Sequence, residues 1–109
     1  MTGYYELKKS GETGFMFNLK AGNHETILTS EIYASKDGAL DGIASVQANS
    51  PHNDQFERKV ATDGSAFFVL TATNGKTIGS SQMYSSDASR DEGIKSVSAN
   101  GVTTTIKEE

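Results

Sequence analysis

Two stretches of this sequence place several hydroxyls where proteins commonly hold a small anion. Thr29-Ser-Glu-Ile-Tyr-Ala-Ser35 and Ser80-Ser-Gln-Met-Tyr-Ser-Ser86 each lead from an apolar run into a helical pattern. A strand-to-helix junction offers unpaired amides and the positive end of the helix dipole, so it attracts negative charge. Ser30, Tyr33 and Ser35 would supply hydroxyls to such a ligand in the first stretch, and Ser81, Tyr84 and Ser86 in the second. The same residues also have a plainer use. A serine caps a helix by accepting from a first-turn amide, and a tyrosine ring packs against a sheet. The plainer use is the expected one.

The remaining chemistry-bearing residues fall short of their motifs. Asn74-Gly-Lys-Thr77 contains the Gly-Lys-Thr of a phosphate loop, but the glycine required five residues before Gly75 is Leu70. His24 and His52 are the only histidines, and neither has a histidine partner three or four residues away. With no cysteine, there is no thiolate ligand, disulfide or cysteine nucleophile. Tyr33-Ala-Ser-Lys36 has the wrong spacing for the Tyr-x-x-x-Lys pair of short-chain dehydrogenases, and no nucleophile elbow or dinucleotide glycine motif is present. No catalytic residue, cofactor or metal site is assigned, and an enzyme is not expected.

Surface recognition is read the same way. Glu6, Lys8, Glu57 and Lys59 fall on the outer side of period-2 patterns, where they pair across strands or meet a partner. Tyr4, Phe15 and Phe67 could stack bases on an open sheet face. Against that, ten basic residues face fourteen acidic ones, giving a net charge of −4 with no basic stripe. Nucleic acid is therefore not the expected partner. An unidentified protein partner fits better.

The elements that must position these groups occur twice. Shifting the 109-residue chain by 51 positions aligns residues 5–50 with 56–101 without a gap, and about 17 of those 46 pairs are identical. They include Glu6/Glu57, Lys8/Lys59, Phe17/Phe68, Leu19/Leu70, Tyr33/Tyr84, Ser35/Ser86, Gly42/Gly93, Ile43/Ile94, Val46/Val97 and Asn49/Asn100. The chain is a tandem duplication.

Each unit reads as three strands and a helix. Tyr5-Glu-Leu-Lys-Lys alternates apolar and charged residues, the mark of a half-buried strand. Gly11 and Gly14, and Asp63-Gly64, mark the first turns. Second strands follow at Phe15–Lys20 and Phe67–Leu70, then hairpin turns at Gly22-Asn23 and Asn74-Gly75, then third strands at Thr26–Thr29 and Thr77–Ser80. Helices are expected over about Lys36–Ala48 and Asp87–Ala99, capped by Ser35 and Ser86 and stopped by Asn49-Ser50-Pro51 and Asn100-Gly101. Gly42 and Gly93 sit mid-helix, where glycine costs about 1 kcal/mol against alanine. The recurrence of that cost points to a close approach between helix and sheet.

A unit of about 50 residues is close to the lower limit for folding alone. The expected solution is α+β: one continuous antiparallel sheet, two helices on one face and a pseudo-twofold axis between units. Repeats at about 3–51 and 54–101 form a single domain, with Thr103-Thr-Thr-Ile-Lys107 adding a C-terminal strand over about 102–109.

Gly3-Tyr-Tyr-Glu-Leu-Lys-Lys9, Phe17-Asn-Leu-Lys-Ala-Gly-Asn23, Ile27-Leu-Thr-Ser-Glu-Ile-Tyr33 and Gly42-Ile-Ala-Ser-Val-Gln-Ala-Asn-Ser-Pro51 closely resemble the YegP-like family, as do their second-unit counterparts. That family comprises small, mostly bacterial proteins of unknown function. The resemblance implies a βββα(β) unit, used in tandem or as a dimer of single units that exchange the C-terminal strand. It implies no catalytic residues. Because the duplication supplies its own second unit, a monomer is expected. No apolar run approaches the roughly 18 residues that span a bilayer. The start of the chain reads as lacking a secretory apolar segment, so a cytoplasmic protein is expected. The leading expectation is a non-catalytic binding or interaction module. The alternative is a small-molecule or anion-binding, even enzymatic, domain using the junction hydroxyls.

Overall fold

The computed structural model describes residues 3–108. Strands β1 (Tyr4–Ser10), β2 (Gly14–Lys20) and β3 (Thr26–Ser30) lead into helix α1 (Lys36–Asn49). The second unit repeats the order with β4 (Phe56–Val60), β5 (Ala66–Thr71), β6 (Thr77–Ser80) and α2 (Asp87–Asn100). A short β7 (Ile106–Glu108) follows. All seven strands form one sheet in the order β4-β5-β6-β3-β2-β1-β7. The antiparallel expectation holds for the first six. The seventh, β7, pairs parallel with β1, setting Ile106 beside Tyr5 and Glu108 beside Leu7.

Strand alternation sends Tyr5, Leu7, Phe17, Leu19, Phe56, Phe68 and Leu70 to the helix side, where all are buried. The helices add Ala39, Ile43, Val46, Ile94 and Val97, so a single apolar cluster spans both units. Phe17 is packed edge-on by Tyr5 at 5.8 Å, and Phe68 by Phe56 at 5.6 Å. Each helix also reaches the other unit's strands: α1 touches β5 and β6, and α2 touches β2 and β3. Neither unit closes its core without the other.

The second helix departs from the apolar pattern at one place. The position equivalent to buried Ala39 is Arg90, which is also buried. Its guanidinium is served by Asp87 at 3.5 Å and Asp91 at 3.5 Å, the pairing that a buried charge requires.

Turns follow the sequence with one difference. Asn23 and Asn74 each accept from the amide two residues on, forming matched Asx turns. The left-handed position comes next in the chain: Gly75 has φ +83° and its counterpart His24 has φ +70°. In the first unit a histidine therefore occupies the backbone conformation that glycine adopts without strain. The Tyr4 hydroxyl lies 3.1 Å from His24 Nδ1 and the two rings meet edge-on.

The pseudo-twofold axis can be located from the pairing. β3 and β6 join the two units, and Thr29 is directly opposite Ser80, its own repeat equivalent. On the helix side, the ends of α1 and α2 meet at Ser50 and Gly101, also repeat equivalents.

Candidate functional site

Both strand-to-helix junctions are built alike. Ser30 Oγ accepts from the Phe17 amide at 2.9 Å and donates to the Glu31 carbonyl at 2.7 Å. Ser81 Oγ does the same with Phe68 at 3.0 Å and Gln82 at 2.8 Å. These hydroxyls replace a ladder hydrogen bond where the third strand peels away from the second. Ser35 Oγ accepts from the Gly38 amide at 3.0 Å, and Ser86 Oγ accepts from Ser89 at 3.1 Å. Both are helix N-caps.

The junction tyrosines lie between sheet and helix. Tyr33 exchanges both backbone hydrogen bonds with Phe15, and Tyr84 does so with Ala66. The Tyr33 ring stacks on Phe17 at 6.3 Å and Tyr84 on Phe68 at 6.4 Å. Burial, then the Glu31 carboxylate, pushes the Tyr33 phenol above its ordinary value.

Each ring also lies over a mid-helix glycine. A Cβ at Gly42 would fall 2.5 Å from Tyr33 Oη and 2.7 Å from its Cζ, and one at Gly93 would fall 2.6 Å from Tyr84 Cζ. The close approach predicted for these glycines is thus to a tyrosine ring. Gly42→Ala is expected to lower stability by about 1–2 kcal/mol, because overpacking outweighs the gain in helix propensity. Adding Tyr33→Leu should cancel part of that loss, the remainder coming from the Phe17 ring, whose Cε2 would lie 2.9 Å from the new Cβ. A Gly42→Ala variant that melts above the parent would refute this packing.

The six hydroxyl-bearing junction residues therefore come together in two equivalent sets, with the serines and rings engaged in internal contacts. A shallow groove of about 240 Å³ opens beside Tyr33, between α1 and the β5–β6 turn, with Asp41, Ser45, Asn74 and Lys76 on its walls. Asn74-Gly-Lys-Thr77 is a hairpin turn, as its missing glycine implies. His52 precedes a single 3-10 turn at Asn53–Gln55, far along the chain from His24 in the β2–β3 turn. Among the described residues, no group of three His, Asp or Glu side chains is placed to hold a metal ion.

Two features lay outside the motif reading. One is the β4 edge. Among the described residues no strand lies on its outer side, whereas its equivalent β1 is covered by β7. Glu57, Arg58, Lys59 and Val60 are exposed there, and Arg58 Nε donates to Asp91 at 3.0 Å. That hydrogen bond holds the Asp91 carboxyl below the usual carboxylate range.

The other is a cleft of about 300 Å³ at the opposite edge, lined by Leu7, Lys8, Lys9, Phe15, Lys36 and Glu108. The only sequence signal for it is a failure of the repeat. Lys9, Phe15 and Lys36 correspond to Val60, Ala66 and Asp87 in the second unit.

A family model described as "Domain of unknown function (DUF1508)" matches residues 11–57 and again 61–108. A UPF0339 protein of Shewanella oneidensis is 56% identical over 99% of this chain and 98% of its own length. The UPF0339 protein YegP of Escherichia coli K12 is 54% identical over the same shares. A UPF0339 protein of Bordetella pertussis is 59% identical over 92% of this chain and 89% of its own. The solution NMR structure of the Shewanella protein superposes with a TM-score of 0.92, covering 99% of this chain and 92% of that one. That of the E. coli protein, itself described as of unknown function, gives 0.94 at 53% identity, covering 100% and 94%. No helix among the described residues is long and apolar enough to cross a membrane.

Proposed function

The chain belongs to the DUF1508 family, carrying two copies of its unit in tandem, and from that premise we propose that it is a non-catalytic interaction module that binds an extended peptide of a protein partner along β4. It acts as a cytoplasmic monomer and not as an enzyme. One observation carries the reading: β7 covers β1, whereas among the described residues nothing covers its repeat equivalent β4.

The bare edge follows from connectivity. The segment after α2 becomes β7 and pairs with β1, the first strand of the other unit. The segment after α1 is β4 itself, so it cannot also lie beside β4. A sheet edge with free amides and carbonyls is a template for an added strand, and nearby charges restrict which strand can add.

On β1 the added strand sets Ile106, Lys107 and Glu108 beside Tyr5, Glu6 and Leu7. On β4 the equivalent positions are Phe56, Glu57 and Arg58, so the fitting peptide runs apolar, basic, acidic in a parallel sense. Cross-strand charge pairs of this kind contribute a few tenths of a kcal/mol each.

The test uses the full chain and a synthetic peptide copying residues 102–108. Amide shifts are expected in residues 56–60, weakened several-fold by Glu57→Lys. Shifts confined to residues 4–8, or none in 56–60, would overturn the proposal.

A further inference from the structure

We propose that the cleft between β1, β7 and the start of α1 is a binding site for a small carboxylate with an apolar body, an aryl or short-chain alkyl acid, and that Glu108 is the resident carboxylate it displaces. The site stands at the sheet edge opposite β4, so it is independent of the peptide reading.

The cleft has a floor and a charged rim. Leu7, 2% exposed, and half-buried Phe15 form the floor. β1 and β2 pair Lys9 with Phe15, so the lysine and the ring share one face of the sheet. α1 begins at Lys36, adding an ammonium group and the positive end of a helix dipole from the opposite wall. Lys8 borders the cleft, but strand alternation carries its ammonium to the other sheet face, 3.7 Å from Glu6. Lys9 makes no ion pair among the described residues.

Two ammonium groups of an acidic chain, those of Lys9 and Lys36, are therefore placed around one small cavity. Like charges so placed repel unless an anion lies among them. At about 300 Å³ the space is at the small end of ligand pockets, room for a compact ring or branched chain but not for a nucleotide.

Glu108 identifies the kind of anion. Its carboxylate meets the Lys36 ammonium, and both side chains remain about half exposed, at 55% and 49%. Glu108 belongs to a three-residue strand exposed throughout, so little resists its withdrawal. An incoming acid thus exchanges one carboxylate for another on Lys36 and gains the apolar floor that glutamate leaves uncovered.

The second unit serves as an internal control. At the equivalent positions Val60 replaces Lys9, Ala66 replaces Phe15 and Asp87 replaces Lys36, removing the ring and inverting the charge. Shared architecture keeps the junctions alike in both units. The cleft belongs to one.

3-Phenylpropionate titrated into the full chain, followed by amide shifts, tests the site. Shifts are expected in residues 7–9, 15, 36 and 106–108. Lys36→Gln and Lys9→Gln should each weaken binding about fivefold or more, while retaining the parent's remaining spectrum because both lysines are solvent-facing. Glu108→Gln should tighten it several-fold by removing the competitor. 3-Phenylpropanol, which lacks the charge, and inorganic phosphate, which lacks the apolar body, should each shift these residues far less. Absence of shifts, equal response to the alcohol or to phosphate, or unchanged affinity in Glu108→Gln would each overturn the proposal.

Discussion

Phe17→Ala is expected to cost about 3–5 kcal/mol and to unfold both units together, and Phe68→Ala to do the same. Both rings are fully buried. Each is contacted edge-on from the first strand of its unit and face-on by the junction tyrosine. Truncation removes a ring that three elements enclose, and a sheet with helices on one side cannot collapse far enough to fill the space. Domains of this size have about 5–15 kcal/mol in total, so either variant approaches the unfolding threshold.

The informative part is the cooperativity. α1 packs over β5 and β6 and α2 over β2 and β3, so damage at Phe68 reaches the first unit through α1. Denaturant unfolding followed by residue-resolved NMR should show one midpoint for signals from both units. Persistence of the first unit's signals after the second has unfolded in Phe68→Ala would refute the shared core.

How much of this was legible follows from how local each feature is. Ser35 and Ser86 act within one turn of chain, and their capping could be read from residue type and place. Gly42 and Gly93 announced a close contact because an unfavourable residue recurred, though the sequence did not identify its partner as Tyr33 and Tyr84. The β-prone residues mark β7 as a strand, but nothing in them specifies its parallel pairing with β1. Ile106–Glu108 is exposed throughout and has no buried face to declare a register. The cleft was invisible because it needs Lys9 and Lys36 brought together by a sheet and a crossing helix. Only the contrast with Val60 and Asp87 marked it. The repeat shows what the architecture needs, and departures from it show where one unit has been put to another use or where symmetry itself forbids identity.

That last case yields the second large effect. Gly101→Ser, which makes the two units identical at this position, is expected to destabilise the protein by about 2–3 kcal/mol. Ser50 and Gly101 are repeat equivalents that end α1 and α2, with φ −59° and −64°. Neither needs glycine for its backbone. The reason is space at the pseudo-twofold axis: a Cβ on Gly101 would run into the Ser50 hydroxyl and fall 2.6 Å from Ser50 Cβ. Ser50 is fully buried and its Oγ has no hydrogen-bond partner among the described residues, so it has no room to turn aside. Leu28 and Gly79 obey the same rule beside the axis in the sheet, where a Cβ on Gly79 would lie 2.7 Å from the Thr29 carbonyl and 3.2 Å from Leu28 Cγ. Thr29 and Ser80 both fit where they face each other, but at Ser50/Gly101 and Leu28/Gly79 the axis leaves room for one side chain, so a duplicated chain gains by diverging at those positions.

The exchange variant, Ser50→Gly with Gly101→Ser, restores one side chain to the axis and should recover a substantial part of the loss, the part due to Ser50. It should remain somewhat below the parent, since a Cβ at 101 still lies 2.8 Å from the Val97 carbonyl, and the Tyr5 hydroxyl, which donates to the Gly101 carbonyl, has no counterpart on Phe56. Thermal melts of the three proteins decide it. An exchange variant no more stable than Gly101→Ser alone would show that the glycine serves the local backbone and not the symmetry.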